Sequence, residues 1–374
     1  MDARGLTRRW LAAAVFLGCA SPLIGGAATA SKAEVGGRMD VLDMPARLSE
    51  RAKSAVLNAV AIAGQRVVAV GEAGIILLSD DNGQTWRQAK VVPTSVTLTN
   101  VRFATASTGW AVGHSGVVLK TTDSGENWAR QLDGKQAAQI ELAAADAAMQ
   151  SNAEAGARRQ RDAQRMVTEG ADKPFLDVYF FDEQNGLVVG AYGLIFATRD
   201  GGKTWVSQLG LVDNPKSRHL YHFAVAGTEL LLTGEQGALY RVSEAGQRFT
   251  AMSSPYAGTL FGALAVPGGN TLVFGLRGNA FVSPDQGTSW TKVDFVQPIT
   301  LTAGTRLRDG RWVVADETGR VLVSRDGTQF VNPGVTKMNA ATGVVEAADG
   351  SLVLSTQHGA VRVAASALNS EQKK

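Results

Sequence analysis

Aspartate recurs in a local pattern that limits the chemistry its carboxylate can do. The pattern, Ser/Thr-x-Asp-x-Gly-x-Thr/Ser/Asn-Trp, has four complete copies, here called Asp boxes. Each copy holds one carboxylate, whereas a calcium ion takes about six to eight oxygen ligands. The side-chain oxygens instead suit the backbone N–H groups of a tight turn, with glycine at a position other residues resist and tryptophan packed on the neighbouring turn. We therefore predict structural roles for Ser79, Asp81, Gly83, Trp86, Thr121, Asp123, Gly125, Trp128, Thr198, Asp200, Gly202, Trp205, Ser283, Asp285, Gly287, Trp290, and for Ser324 and Asp326 of a shortened copy.

The remaining polar residues do not assemble a recognisable catalytic set. A sialidase-type glycosidase needs clustered arginines, a tyrosine nucleophile with a carboxylate partner, and an acid/base aspartate. None of the five tyrosines stands in such a context, and residues 45–48 have the wrong order for the arginine motif that opens those enzymes. His219 and His222 are three residues apart in a predicted strand, which sends their side chains to opposite faces. We predict a non-enzymatic protein with no metal or cofactor, and a glycosidase is the alternative.

The boxes belong to a longer repeat unit that occurs seven times. Each unit has two apolar runs joined by a G-x-x-G turn, whose two central residues are expected to need positive φ, and flanking strands bring the total to four. Four antiparallel strands repeated at about 40 residues are typical of propeller blades. The sequence predicts an all-β fold, a seven-bladed β-propeller with four-stranded antiparallel blades over residues 41–365. One glycine marks the units at Gly74, Gly116, Gly193, Gly237, Gly278, Gly319 and Gly359.

The last unit lacks an obvious fourth strand, so the ring needs a closing device. Residues 41–48 precede the first blade, and we predict that they pair with the last blade and cover its edge. Deleting residues 38–50 should then lower the melting temperature sharply.

The long interval between Gly116 and Gly193 indicates an insertion between blades 2 and 3, at about residues 135–170. Its Ala, Gln, Glu and Arg content favours two helices. Large apolar residues are sparse there, so the helices must dock on the propeller or on another protein. The second helix carries Arg158, Arg159, Arg161 and Arg165, which form either a solvated face or a docking patch for an acidic partner.

Partner binding is expected on the face opposite the Asp boxes, where the G-x-x-G turns and the connections between blades lie. Loops on a rigid scaffold commonly carry binding residues, although polar hairpin turns are also ordinary solvated structure. The net charge is +3, with no long block of Lys and Arg, which excludes a nucleic-acid partner. The candidate partner-binding residues on this face are Glu72, His114, Tyr192, Arg277 and His358.

The N-terminus has the layout of a secretory signal peptide. Arg4, Arg8 and Arg9 precede an apolar run over 10–20, and the small-residue stretch that follows ends at Ala30. We predict a signal peptide over 1–30, a linker over 31–40, a tail over 366–374, and a periplasmic mature chain without a transmembrane segment. Secretion is one alternative location, and lipid anchoring at Cys19, the chain's one cysteine, is another.

Asp boxes combined with G-x-x-G hairpins in this form resemble the photosystem II assembly/stability factor-like family of seven-bladed propellers. The resemblance covers residues 41–365. It implies a scaffold or assembly factor that holds a membrane-associated protein complex, with an envelope transport system among the options. Because Asp boxes also occur in sialidases and sortilin-type receptors, they predict the fold and not the function. The alternative is a carbohydrate-binding or glycosidase propeller with a glycan partner.

Overall fold

Short strands rich in Val, Leu and Ile form seven antiparallel sheets that follow one another along the chain. The computed structural model describes residues 40–151, 153–266, 269–335 and 338–369. The predicted signal peptide and nearly all of the linker lie outside the described residues. Among those described, no helix is long and apolar enough to cross a membrane.

Blades 1 to 3 each have four strands. Blade 1 comprises β1 (Leu57–Ala63), β2 (Arg66–Gly71), β3 (Ile76–Ser79) and β4 (Arg87–Gln88). Blade 2 comprises β5 (Leu98–Phe103), β6 (Gly109–Gly113), β7 (Val118–Thr121) and β8 (Ala129–Leu132). The helices α1 (Gly134–Ser151) and α2 (Ala153–Glu169) follow. Blade 3 comprises β9 (Phe175–Phe180), β10 (Gly186–Gly190), β11 (Ile195–Thr198) and β12 (Val206–Ser207).

Blades 4 and 5 keep the four-stranded pattern, and blades 6 and 7 have three strands each. Blade 4 comprises β13 (Leu220–Ala226), β14 (Glu229–Gly234), β15 (Leu239–Ser243) and β16 (Arg248–Ala251). Blade 5 comprises β17 (Leu260–Ala265), β18 (Thr271–Gly275), β19 (Ala280–Ser283) and β20 (Thr291–Val293). Blade 6 comprises β21 (Leu301–Arg306), β22 (Trp312–Asp316) and β23 (Val321–Ser324), and blade 7 comprises β24 (Ala341–Glu346), β25 (Leu352–Thr356) and β26 (Gly359–Val363).

The predicted seven-bladed propeller with a helical insertion after blade 2 is confirmed, with two thinner blades. In blade 6 the fourth strand is reduced to one bonded pair, Val323 and Val331, with N–O distances of 2.8 and 2.9 Å. The shortened box of blade 6 leads directly into this reduced strand. The sequence of blade 7 has no box, and within the described residues this blade ends with its third strand.

Apolar side chains pack between every pair of neighbouring blades. Seven clusters of buried residues correspond to the seven interfaces, including the one between blades 7 and 1. The second strand of a blade is buried on both faces, which explains its continuous run of apolar residues. Leu368, in the predicted tail, is 4% exposed in the cluster between blades 6 and 7, so the packed domain extends past residue 365.

The predicted closing strand is wrong. Residues 41–48 form no strand, and they lie against the connection between blades 1 and 2, where Ser95 N donates to Val41 O at 2.9 Å. The edge of β26 is instead approached by a short 3-10 turn at Glu50–Ser54, and Gly359 N donates to Ala55 O at 2.8 Å. Blades 7 and 1 then pack face to face like the others, so closure needs no exchanged strand.

Candidate partner-binding face

The G-x-x-G turns and the Asp boxes lie at opposite ends of the blades. In blade 1, Gly71 at the turn pairs with Leu57 at the start of the inner strand, whereas the box residue Ser79 pairs with Val67 at the other end. The other blades repeat this register. A β-carbon at Gly71 would collide with the incoming backbone at Val56 O. We call the end with the G-x-x-G turns the turn face.

The turn of blade 1 shows what each residue of the motif does. Positive φ falls on Ala73 (52°) and Gly74 (70°), one residue later than expected, because the first glycine serves the close approach of the incoming chain. Glu72 accepts a hydrogen bond from Val56 N at 2.8 Å. Glu235 and Glu317 accept equivalent bonds at 3.2 and 3.4 Å in blades 4 and 6. The Glu72 carboxylate therefore fixes the backbone that enters blade 1 rather than standing free for a partner.

The other four candidates on the turn face present their side chains to solvent. His114, Arg277 and His358 are exposed polar groups, and Arg277 has a φ of 59°. Tyr192 is 56% exposed and has a φ of 56°. The same turn position is left-handed in blades 1, 2 and 4, where Ala73, Ser115 and Gln236 occupy it, so this conformation belongs to the turn. The large exposed ring is the feature that is particular to blade 3.

Tyr192 begins a file of aromatic rings that runs across blades 3, 4 and 5. Its ring centroid lies 5.1 Å from that of His219, His219 lies 6.2 Å from Tyr221, and Tyr221 lies 5.4 Å from Phe261. The interplanar angles are 56°, 51° and 69°. Tyr221 and Phe261 line the central channel, so the file leads from the outer turn to the channel mouth. We call these four residues the aromatic arc.

Different residues occupy the channel mouth in blades 6, 7, 1 and 2. The second residue of each inner strand there donates to the carbonyl oxygen of the next blade's first inner residue, at 2.7 or 2.8 Å. We call these donors the hydrogen-bonded arc; they are Asn58, Thr99, Thr302 and Thr342. At the same strand position blades 3, 4 and 5 have Leu176, Tyr221 and Phe261.

The channel itself is wide and mixed in chemistry. Its volume is about 1680 Å³, and inner strands of all seven blades contribute to its wall. A buried charge lies beside it at Asp177, which is 0% exposed and accepts from Arg102 Nε at 3.0 Å and Nη2 at 2.7 Å. Asn100 Nδ2 and Phe223 N also donate to this carboxylate, at 2.8 and 2.7 Å. Asp177 thus ties blades 2, 3 and 4 together.

The electrostatics of this cluster favour a structural anion. Burial alone would raise the pKa of Asp177, but the charge of Arg102, the hydrogen bond from His222 and the Phe223 amide hold it below its ordinary value. Nδ1 of His222 lies 3.3 Å from Asp177 Oδ2 and 3.2 Å from Arg102 Nη2. An anion with this many donors is held in place and is a poor proton acceptor.

The fold is similar to that of known β-propellers. The family model described as photosynthesis system II assembly factor YCF48 matches residues 157–291. The structure of YCF48 bound to a D1 peptide aligns with a TM-score of 0.58 at 16% identity, covering 87% of this chain and 98% of that one. YCF48 from Cyanidioschyzon merolae aligns with a TM-score of 0.59 at 14% identity, covering 86% and 98%. This chain has the β-propeller fold, and its residues 157–291 are similar to the YCF48 family.

The likeness to solved structures extends to propellers outside this group. The WD40 propeller of Doa1 aligns with a TM-score of 0.59 at 11% identity, covering 86% of this chain and 95% of that one. No curated protein matches the chain. The family match at 157–291 runs from α2 through blades 3 and 4 into the box of blade 5. It therefore includes all four residues of the aromatic arc.

The Asp boxes of the propeller form closed local hydrogen-bond sets. In blade 1, Asp81 Oδ1 accepts from Ser79 Oγ and Thr85 N, both at 2.8 Å, and Asp81 Oδ2 accepts from Thr85 Oγ1 at 2.6 Å. Gly83 N donates to Ser79 Oγ at 2.8 Å. These donors, led by the Thr85 hydroxyl, lower the pKa of Asp81 to about 2.

The other box residues repeat this geometry. The boxes of blades 2, 3 and 5 have the same hydroxyl, glycine and Asp contacts, at Thr121, Asp123, Gly125, Thr198, Asp200, Gly202, Ser283, Asp285 and Gly287. The shortened copy keeps the bond of Ser324 to Asp326 at 3.2 Å. The Nε1 atoms of Trp86, Trp128 and Trp205 donate to a box glycine carbonyl, whereas the buried Nε1 of Trp290 has no partner within the described chain.

The helical insertion docks on the propeller itself. Ala137, Ile140 and Met166 pack into the cluster between blades 2 and 3. Arg159 Nε and Nη2 donate to Glu141 at 2.7 and 2.9 Å, and this carboxylate side chain is 2% exposed. Of the two possibilities that the sequence allowed, docking on the propeller or on another protein, the structure shows the first.

The four arginines of α2 therefore divide into two kinds. Arg159 is a structural link between the helices. Arg158, Arg161 and Arg165 are exposed, and Arg158 and Arg165 lie 3.8 and 3.4 Å from Asp162. Acidic neighbours partly neutralise this stripe, which makes it a weaker docking patch than the arginine count indicates.

Proposed function

We propose that this YCF48-like propeller is a non-enzymatic scaffold that binds a membrane-associated protein through its turn face. The observation that carries the proposal is the aromatic arc. Four rings lie on the turn face and at the channel mouth, and the outermost, Tyr192, is more than half exposed and held in a left-handed conformation. Aromatic residues clustered on a rigid surface are typical of protein-binding sites.

The location of the partner follows from the predicted signal peptide. A chain cleaved after Ala30 would be periplasmic, where membrane proteins expose their assembled and unassembled segments. Fractionation of the expressing bacterium should recover the mature chain in the periplasm, with Ser31 as its first residue. A cytoplasmic chain that keeps residues 1–30 would contradict this part of the proposal.

The binding face is tested by comparing variants in envelope co-purification. Tyr192→Ala should reduce recovery of a membrane-associated protein about tenfold, since an aromatic anchor contributes about 1–2 kcal/mol. Ser115→Ala alters the same turn position in blade 2 and is the matched control. Equal recovery with both variants would contradict binding at the aromatic arc.

Deletion of residues 135–170 separates the role of the helices from that of the turn face. We propose that the exposed arginines of α2 add to partner binding, so the deletion should weaken co-purification without abolishing it. Unchanged recovery would show that the helices do not contribute to partner binding, and the aromatic arc alone would remain as the proposed site.

The alternative is a glycan-binding or glycosidase propeller. Asp177 is a fully buried acid beside the channel, and its pKa is lowered. A catalytic general acid would require a raised pKa. A sugar-substrate panel that gives turnover lost in Asp177→Asn would favour the glycosidase instead.

A further inference from the structure

Two backbone carbonyl groups beside the aromatic arc already have hydrogen-bond donors within the chain. His219 O accepts from Glu235 N at 2.9 Å, and Leu220 pairs with Gly234 in the sheet. Thr259 O, which precedes Phe261 by two residues, accepts from Leu276 N at 3.0 Å. These carbonyl groups are engaged, so the recognition groups considered for the arc are its side chains.

The rings do not share a plane. Successive members of the arc are tilted by 51° to 69°, so the faces of neighbouring rings form clefts rather than one flat platform. A flat platform suits the stacked faces of consecutive sugars. Clefts between tilted rings suit compact apolar groups such as prolyl rings.

The charge around the arc argues against a cationic ligand at its outer end. Nζ of Lys173 lies 5.6 Å from the centroid of Tyr192, so the cation site on that ring is already occupied from within the chain. Lys173 is in turn paired with Asp172 and Glu169 at 2.8 and 2.5 Å. The ring of Tyr192 thus offers no open cation site.

The arc also offers hydrogen-bond donors. Burial and then the charge of Glu235 raise the pKa of Tyr221, so its hydroxyl stays protonated at physiological pH and can donate. Within the described residues, the hydroxyls of Tyr192 and Tyr221 have no hydrogen-bond partner in the chain. A polyproline II segment has no internal hydrogen bonds and leaves its carbonyl oxygens free to accept.

The spacing of the rings fits this segment. Neighbouring centroids are 5.1 to 6.2 Å apart. Polyproline II rises about 3.1 Å per residue, so two residues span about the distance between adjacent rings. Pro-rich segments dock on aromatic-lined grooves through this combination of apolar clefts and hydroxyl donors.

We infer that the aromatic arc binds an extended, proline-containing segment of the partner protein in polyproline II conformation. This inference rests on the proposed function and specifies which part of the partner is recognised. The segment lies from Tyr192 across His219 and Tyr221 to Phe261, and it approaches the channel mouth at its inner end.

The test is titration of the full purified protein with decaproline, followed by NMR of labelled tyrosine rings. The signals of Tyr192 and Tyr221 should shift saturably, and that of Tyr240, which is 3% exposed, should not. Tyr192→Ala should weaken binding about tenfold. This variant should fold, because Ala73 occupies the same left-handed turn position in blade 1 with a φ of 52°.

Three comparisons make the result decisive. Gln236→Ala, the equivalent turn position in blade 4, should bind decaproline within about twofold of the parent. No saturable shift at millimolar decaproline, or an equal response to a Gly-Ser decapeptide, overturns the inference. A response to chitohexaose without one to decaproline also overturns it, in favour of a glycan. If Tyr192→Ala loses the envelope partner while decaproline fails to bind, the proposed function stands and this inference alone fails.

Discussion

The two sides of the channel mouth hold neighbouring blades together with different chemistry. Blades 6, 7, 1 and 2 repeat one side-chain bond from each inner strand to the next blade. Blades 3, 4 and 5 replace the donor with an apolar or aromatic residue, and there the buried carboxylate of Asp177 bonds to blades 2 and 4. The aromatic side therefore lacks the repeated side-chain bond and has an aromatic surface in its place, and the Asp177 ion pair links blades 2, 3 and 4.

Removing the Asp177 carboxylate should have the largest effect. Asp177→Ala leaves Arg102 without its counter-charge and should lower the free energy of unfolding by about 3–5 kcal/mol. Urea unfolding monitored by tryptophan fluorescence measures it. Asp213→Asn, at an exposed position in the same half of the ring, should change stability by less than about 0.5 kcal/mol. Equal effects of the two substitutions would show that the Asp177–Arg102 ion pair does not hold these blades together.

Loosening the helical insertion should have an intermediate effect. Arg159→Ala leaves the buried Glu141 carboxylate without its cationic partner, with the Ser207 hydroxyl as its remaining side-chain donor, and should lower the opening free energy of α1 and α2 by about 2–3 kcal/mol. Hydrogen exchange of the helix amides measures it. Arg161→Ala, two positions along the same helix and exposed, should leave exchange nearly unchanged. Similar exchange in both variants would show that the hairpin is held by its apolar contacts alone.

The hydrogen-bonded arc should respond more mildly. Thr342→Val removes the bond to Leu57 O at the junction of blades 7 and 1 and should cost about 1 kcal/mol. Leu176→Thr places a hydroxyl at the same strand position in blade 3. It should change stability by less than about 0.5 kcal/mol, because a new interblade bond offsets the lost apolar contact. A loss at Leu176 as large as that at Thr342 would break the proposed equivalence of the two positions.

The Asp boxes should show their effect in acid. The pKa of Asp200 and of Asp285 is lowered to about 2, by the hydroxyls of Thr204 and Ser289 first. The pKa of aspartate in the unfolded chain is about 3.9. The boxes therefore contribute stability that is fully present above that pH and is lost as the pH falls toward about 2. Asp285→Asn should therefore be less stable than the parent at pH 6 by urea unfolding, and the difference should shrink near pH 2.5. A difference in stability that does not change with pH would show that the charge of the Asp285 carboxylate does not stabilise the box.

The fold followed from sequence because its causes are local and repeated. The G-x-x-G turns, the box residues and the alternation of apolar runs are each fixed by neighbours within a few positions. The contacts of residues 41–48 were not predictable in this way, because Leu42 packs into the cluster between blades 1 and 2 through residues far along the chain, and no local motif marks it.

Of the four residues of the aromatic arc, the sequence identified only the outermost, Tyr192. Tyr192 was identified as an exposed turn residue, but His219, Tyr221 and Phe261 join it through contacts between three separate blades. Asp177 carried a signal that sequence reasoning missed, because a carboxylate interrupts the apolar strand Phe175–Phe180 where the fold requires burial. Its partner Arg102 lies 75 positions earlier, so the pair emerges only from the ring geometry.

Site-specific photo-crosslinking in the envelope tests the central claim most directly, because it reports contact at a chosen position on the turn face. Benzoylphenylalanine replaces Tyr192 in one variant and Ser115, the same turn position in blade 2, in the other. The account predicts a crosslink to a membrane-associated protein from position 192 and little or none from position 115. A crosslink of equal or greater yield from position 115 would contradict partner binding at the aromatic arc.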